Sequence, residues 1–81
     1  MRLPRDLSGR ELARALSRFG YAVTRQTGSH IRLTTMVGGG HHLTIPDHQA
    51  LRVGTLAAVL DDVASHLGRN REDLLADLFG S

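Results

Sequence analysis

Residues 21–46 contain three short segments in which apolar and polar side chains alternate, separated by turns that contain glycine. Ile31, Leu33, Leu43 and Ile45 are the apolar members of the second and third segments. A period of two is typical of β-strands and places these side chains on one face of an antiparallel meander. Because a three-stranded sheet with a single apolar face needs other elements to cover it, the flanking segments must supply helices.

The predicted strands span residues 21–26, 30–36 and 42–45, with turns at residues 27–29 and 38–40. Tyr21 and Val23 share one face of the first strand, and Pro46 ends the third because it lacks an N–H donor. The alternation predicts a row of polar side chains on the face that points away from the core. These are His30, Arg32, Thr34, His42 and Thr44.

Helical spacing of apolar residues predicts one helix before this meander and two after it. The first covers residues 9–19, begins at a capping box formed by Ser8 and Glu11, and ends at Gly20. Thr55 is predicted to cap the second helix and Asn70 the third. The expected fold is α+β: α-β-β-β-α with a short extra C-terminal helix, in one domain over residues 1–81. Helices cover one face of a three-stranded antiparallel sheet.

The composition excludes several classes of function. The chain has no cysteine, so it has neither disulfides, thiolate metal sites nor a thiol nucleophile. No apolar run approaches the roughly 20 residues of a membrane span, and no secretion leader is recognisable, so we expect a cytoplasmic protein without membrane contact. All ten basic residues are arginine, and they are unevenly distributed. Residues 1–54 carry a net charge of +5 and residues 55–81 of −3, so the first part is the expected polyanion-binding region.

The five histidines, at positions 30, 41, 42, 48 and 66, are the candidates for chemistry. Their spacing does not favour a metal site: His41 and His42 would point to opposite faces of a strand, and no pair has the four-residue helical spacing of zinc enzymes. General acid–base chemistry fits better, because histidine exchanges protons near neutral pH. We expect His66 to complement the dipole at the C-terminus of the second helix.

His30 is the strongest candidate, because it follows the Gly28-Ser29 turn and begins a strand on the polar face. A glycine turn allows close approach of a phosphate, and Arg25, Arg32 and Thr34 are near enough in sequence to contribute contacts. Imidazole beside guanidinium groups suits cleavage of RNA by its own 2′-hydroxyl, where a proton moves and phosphorane charge must be stabilised. On the residues alone, a solvated strand histidine remains the alternative.

Three blocks in order resemble the HicA (YcfA-like) family of mRNA interferase toxins: Gly28-Ser29-His30, residues 45–48 (Ile-Pro-Asp-His) and residues 51–56 (Leu-Arg-Val-Gly-Thr-Leu). The resemblance extends over nearly the whole chain. It implies a fold similar to a double-stranded-RNA-binding domain and an endoribonuclease that needs no cofactor, is neutralised by a HicB-type antitoxin, and has its catalytic histidine at His30. His42 and His48 are the two candidates for a second proton-transfer group. A structural role for His48 in its loop is also open.

The sequence therefore predicts a metal-independent endoribonuclease toxin acting on mRNA. The predicted catalytic residue is His30, and the predicted RNA-binding residues are Arg25, Gly28, Ser29, Arg32, Thr34, His42 and His48. Two alternatives use the same fold: a module that binds RNA without cleaving it, and a degenerate relative kept for contacts with its antitoxin. The tail, residues 68–81, is expected to pack on the core or to contact a partner.

Overall fold

The structure is a computed structural model and describes residues 2–80; Met1 and Ser81 lie outside the described residues. Helix α1 (Gly9–Leu16) continues into a 3₁₀ turn (Ser17–Phe19) and is followed by β1 (Ala22–Thr27), β2 (His30–Thr35) and β3 (His41–Pro46). Helices α2 (Val53–Leu67) and α3 (Arg71–Phe79) complete the described chain. The strands form one antiparallel sheet in the order β1-β2-β3. The α-β-β-β-α order with an extra C-terminal helix is therefore confirmed.

The core lies between one face of the sheet and the three helices. Ile31, Leu33, Leu43 and Ile45 are at most 5% exposed, which confirms the predicted apolar face. Helix α1 contacts all three strands, whereas α2 packs against β3 and α3. The helices contribute leucines and a valine that are fully buried: Leu12, Leu16, Leu60, Val63 and Leu74. Full burial of one such side chain stabilises the fold by roughly 1.5–3 kcal/mol relative to exposure.

The start of α1 is tied to the end of β3. The Ser8 hydroxyl accepts from the Glu11 N–H and the Glu11 carboxylate accepts from the Ser8 N–H, both at 3.0 Å, so the predicted capping box is confirmed. The Gly9 N–H donates to the His48 carbonyl at 3.0 Å. A Cβ on Gly9 would lie 2.1 Å from the Pro46 carbonyl oxygen, so only glycine allows this close approach. Pro46 is the last residue of β3, as predicted.

Helix α2 begins two residues before the predicted cap. Arg52 occupies the N-cap position without a side-chain hydrogen bond, so the assignment of the cap to Thr55 is wrong. The backbone explains the earlier start: the Leu51 N–H donates to the Leu7 carbonyl at 2.7 Å, and the Leu56 N–H already bonds to the Arg52 carbonyl at 2.9 Å. Burial of Leu51 at 7% exposure anchors the same turn.

Helix α3 packs on the core through Leu74, Leu75 and Leu78, which are all buried. Its predicted cap is confirmed, because the Asn70 side chain accepts from the Asp73 N–H at 2.8 Å. The tail as far as Gly80 is thus part of the packed fold. Within residues 2–80, no helix combines the length and apolar composition that crossing a bilayer requires.

Candidate active site

The sheet face opposite the helices is a surface of polar side chains arranged in rows across the strands. Residues directly opposite each other in antiparallel strands share a face, so the pairing register defines each row. His30 lies between Thr27 and Pro46 in the first row. Arg32 lies between Arg25 and Thr44 in the second. In the third row, Thr34 lies between Ala22 and His42.

A β-bulge at Thr24 decides where Arg25 lies. The pairing shifts by one residue between Val23, opposite the buried Leu33, and Arg25, opposite Arg32. Continuous pairing would place Arg25 opposite Ile31, on the helix side of the sheet. The extra residue moves Arg25 to the outer face instead, as bulges commonly do when they redirect a side chain near a functional site.

Arg25 and Arg32 therefore form a like-charged pair directly across two strands. Such pairs destabilise a sheet unless a counter-charge is present. Neither guanidinium has a hydrogen bond or an ion pair with any residue between positions 2 and 80. Both remain available to bind an anion, and a guanidinium matches the geometry of a phosphate with two parallel N–H donors.

His30 shares a shallow cavity of about 190 Å³ with these arginines, and Thr27 and Thr44 complete its lining. The imidazole is exposed, and its Nδ1 lies 3.3 Å from the Ser29 hydroxyl. The turn before it depends on Gly28, whose φ of +43° falls in the left-handed region and whose surroundings are open. The Asp47 N–H donates to the Ser29 carbonyl at 2.7 Å, which fixes the start of β2 against the end of β3. Nε2 of His30 has no hydrogen bond with another residue in the described part of the chain.

His42 belongs to a different part of the same face. Its Nδ1 lies 2.8 Å from the Thr34 hydroxyl, which in turn lies 2.9 Å from the Thr24 hydroxyl. Four residues along β2 separate the row of His30 from the row of His42, a distance of about 13 Å at the rise of a strand. His42 thus lies two rows away from His30 along the sheet, although both side chains face outward.

His48 lies apart from the His30 cavity. Its side chain lines a second cavity of about 610 Å³ together with Ser8, Arg10, Asp47 and Gln49. There the Asp47 carboxylate accepts hydrogen bonds from the Arg10 guanidinium at 3.2 Å and from the Gln26 amide at 3.1 Å. Among residues 2–80, no group of three histidine, aspartate or glutamate side chains is placed to hold a metal ion.

Of the eight predicted site residues, the structure brings Arg25, His30 and Arg32 into one cavity, with Gly28 and Ser29 in the adjoining turn. Thr34 and His42 lie together farther along the sheet, and His48 lies in another cavity. Sequence reasoning missed Thr27 and Thr44 as cavity residues. Their signal is the strand register, because Thr27 pairs with His30 and Thr44 with Arg32.

The fold and this face define a small α+β domain that presents an exposed histidine and unpaired arginines on an open sheet. A family model described as the HicA toxin of bacterial toxin–antitoxin systems matches residues 9–64, more than half of the chain. The chain belongs to the HicA toxin family, which confirms the resemblance seen in the sequence. The matched region includes every residue of the cavity. No curated protein and no solved structure was found to match this chain.

Proposed function

We propose that this toxin is an endoribonuclease that cleaves mRNA by metal-independent general acid–base chemistry at His30. The observation that carries the proposal is the cavity itself, where an exposed imidazole lies beside two guanidinium groups without partners among the described residues. Imidazole provides proton transfer near neutral pH, and the guanidinium groups provide charge stabilisation. RNA carries both the phosphate and the neighbouring hydroxyl that such a site requires.

In the proposed step, Nε2 of His30 accepts the proton of the ribose 2′-hydroxyl while the 2′-oxygen attacks the adjacent phosphorus. The bond between phosphorus and the 5′-oxygen breaks. The products are a 2′,3′-cyclic phosphate and a 5′-hydroxyl, with the 5′-oxygen taking its proton from water. Water is assigned this role because His42 and His48 lie outside the cavity, and no other histidine lines it.

Arg25 and Arg32 have a separate role in this mechanism. Negative charge increases on the non-bridging oxygens as the pentacovalent phosphorane forms, and preformed cations stabilise that state most strongly. The two side chains flank the same cavity from neighbouring strands, so a phosphate between them also relieves their mutual repulsion. Thr27 and Thr44 complete the lining of the cavity, and the Ser29 hydroxyl lies next to Nδ1 of His30.

Substitution of His30 tests the proposal directly. Wild type and His30→Ala are expressed under induction, and growth and mRNA integrity are followed. Loss of a general base lowers the rate roughly 10²–10⁴-fold, so cells that express His30→Ala should grow normally and keep their mRNA intact. Because His30 is exposed, its removal should leave the melting temperature unchanged. A folded His30→Ala chain that cleaves RNA at the wild-type rate would overturn the assignment.

The same purified proteins separate cleavage from binding alone. RNA incubated with wild type in the presence of a metal chelator should yield fragments that end in a 2′,3′-cyclic phosphate, identified by mass spectrometry. RNA that is bound but stays intact would favour a non-catalytic RNA-binding module. The toxin would act in the cytoplasm, where mRNA is found, and a HicB-type antitoxin is its proposed neutralising partner. The HicA family assignment supports the existence of such an antitoxin.

A further inference from the structure

A groove on the helix side of β1 lies outside the site described above. It has a volume of about 500 Å³ and lies between α1 and β1. All six residues of β1 are exposed, because α1 covers only part of this strand. Val23 pairs with the buried Leu33 and so faces the helix side, yet it is 54% exposed. A large apolar side chain is thus left uncovered at the edge of the core.

The groove combines an apolar floor with a basic rim. Ala13, Val23 and Ile31 contribute to the floor, and Arg10 and Arg14 stand at the rim. The Arg14 guanidinium has no hydrogen bond or ion pair with another residue in the described part of the chain. The Arg10 guanidinium is already paired with Asp47, so Arg14 is the rim cation without such a partner among the described residues. A phosphate would satisfy Arg14 but leave the apolar floor in water. A polypeptide segment with both acidic and apolar side chains would satisfy both.

The backbone at this groove favours an extended polypeptide as well. Strand β1 is an edge of the sheet, paired on one side with β2 only. Edge strands present free backbone donors and acceptors that an added strand can pair with. A second copy of this chain is a poor occupant, because antiparallel pairing of two β1 strands about their centre would bring the two Arg25 side chains close together without a counter-charge from the described residues.

We propose that the groove and the free edge of β1 bind an acidic, partly apolar segment of the antitoxin. This inference rests on membership of a toxin–antitoxin family and on the groove, not on cleavage at His30. Strand β1 also supplies Arg25 and Thr27 to the His30 cavity from its other face. A segment paired with β1 therefore lies beside the cavity and restricts the approach of RNA. Binding of the antitoxin at the groove would in this way inhibit cleavage at the cavity.

The test compares two exposed valines. The affinity of the chain for the antitoxin encoded with it is measured by calorimetry for wild type, Val23→Asp and Val53→Asp. Val53 is the matched control, because it is 58% exposed and lies at the start of α2. Val23→Asp should weaken binding by at least ~30-fold, as expected for a central contact that repels an acidic partner, and Val53→Asp by less than ~3-fold. Hydrogen exchange should show new protection of the β1 amides in the complex.

Three outcomes would overturn the proposal: unchanged affinity in Val23→Asp, equal losses in both variants, or no protection of β1. If Val23→Asp lost RNA binding while keeping the antitoxin, the groove would be an RNA surface instead. Arg14→Glu on the exposed side of α1 repeats the test should Val23→Asp fail to fold, with the same expected direction. RNA cleavage by the free Val23→Asp chain, measured in parallel, reports on the catalytic proposal independently.

Discussion

Two pairs of histidines lie in contrasting environments. His30 and His42 are exposed on the open sheet face, and each has only Nδ1 in a hydrogen bond with a described residue. His41 and His66 lie where the β2–β3 hairpin meets α2, with their rings stacked at 4.3 Å. His41 uses both nitrogens, to the Tyr21 hydroxyl at 2.7 Å and to the Asp62 carboxylate at 3.1 Å.

His41 and His66 are held in place by hydrogen bonds to other parts of the fold. A carboxylate only accepts, so in the neutral ring His41 Nε2 carries the hydrogen and donates to Asp62, and Nδ1 accepts from the Tyr21 hydroxyl. By the same reasoning, His66 Nε2 donates to the Val37 carbonyl at 2.9 Å. The expectation that His66 complements the helix dipole did not include this contact with the hairpin. The hydrogen bonds of His41 and His66 stabilise the fold. His30 and His42 have no hydrogen bond at Nε2 with a described residue, so this atom is available for chemistry or for binding.

After the loss of His30 itself, the largest effect is expected from reversing both charges at the cavity. Arg25→Glu together with Arg32→Glu should lower the RNA cleavage rate by at least ~100-fold, because phosphate binding and charge stabilisation are both lost. The double reversal Arg5→Glu with Arg52→Glu is the matched control, since both residues are exposed and lie outside the cavity. Equal losses in the two double variants would show that net charge, not the cavity, governs cleavage.

His41→Ala should lower the stability of the fold without lowering cleavage, which distinguishes His41 and His66 from the exposed histidines His30 and His42. The substitution removes the hydrogen-bond partner of the buried Tyr21 hydroxyl. A buried polar group without a partner lowers the free energy of unfolding by about 1–3 kcal/mol. Denaturant unfolding should show this loss, while cleavage at a temperature where the variant is folded stays near the wild-type rate. Restored stability in the His41→Ala, Tyr21→Phe double variant would confirm the cause, because the unsatisfied hydroxyl is then absent. A large loss of cleavage in folded His41→Ala would remove the distinction between the pairs.

The sequence was sufficient to predict the sheet face of His30 and Arg32, since a period of two determines on which side each side chain lies. It was not sufficient for Arg25, because the bulge at Thr24 that turns this residue outward has no glycine to mark it. The cap of α2 was missed because the Leu51 N–H bonds to Leu7, a contact between residues far apart in the chain. The Tyr21–His41–Asp62 chain likewise joins three elements, and its partners are not recognisable from spacing. Periodicity predicts faces, whereas register and long-range contacts require the packed fold.

Tyr21 provides a spectroscopic check on the structural pair. Burial raises the pKa of Tyr21 to about 12 from 10.0, and the negative charge of Asp62 adds to the shift. Since the raised pKa favours the neutral phenol in the fold, this contribution to stability is complete below pH 10 and is lost as the pH rises towards 12. Absorbance at 295 nm isolates this residue, because the chain has one tyrosine and no tryptophan. We expect a midpoint near 12 in native protein and near 10 in denaturant; coincident midpoints would mean that the hydroxyl is not buried.

The smallest effect is expected from substitution of His42, which tests whether the two exposed histidines, His30 and His42, have different roles. His42→Ala should raise KM for RNA by roughly 3- to 10-fold, the value of one or two hydrogen bonds of about 0.5–1.5 kcal/mol, with kcat nearly unchanged. The reason is distance: His42 lies two rows from His30 and contacts Thr34, so we expect it to contact the substrate beyond the reacting phosphate. Steady-state kinetics on a short RNA would measure both constants. A fall in kcat comparable to that of His30→Ala would instead make His42 the second proton-transfer group, and would require the RNA or the sheet to bring the two histidines together during the reaction.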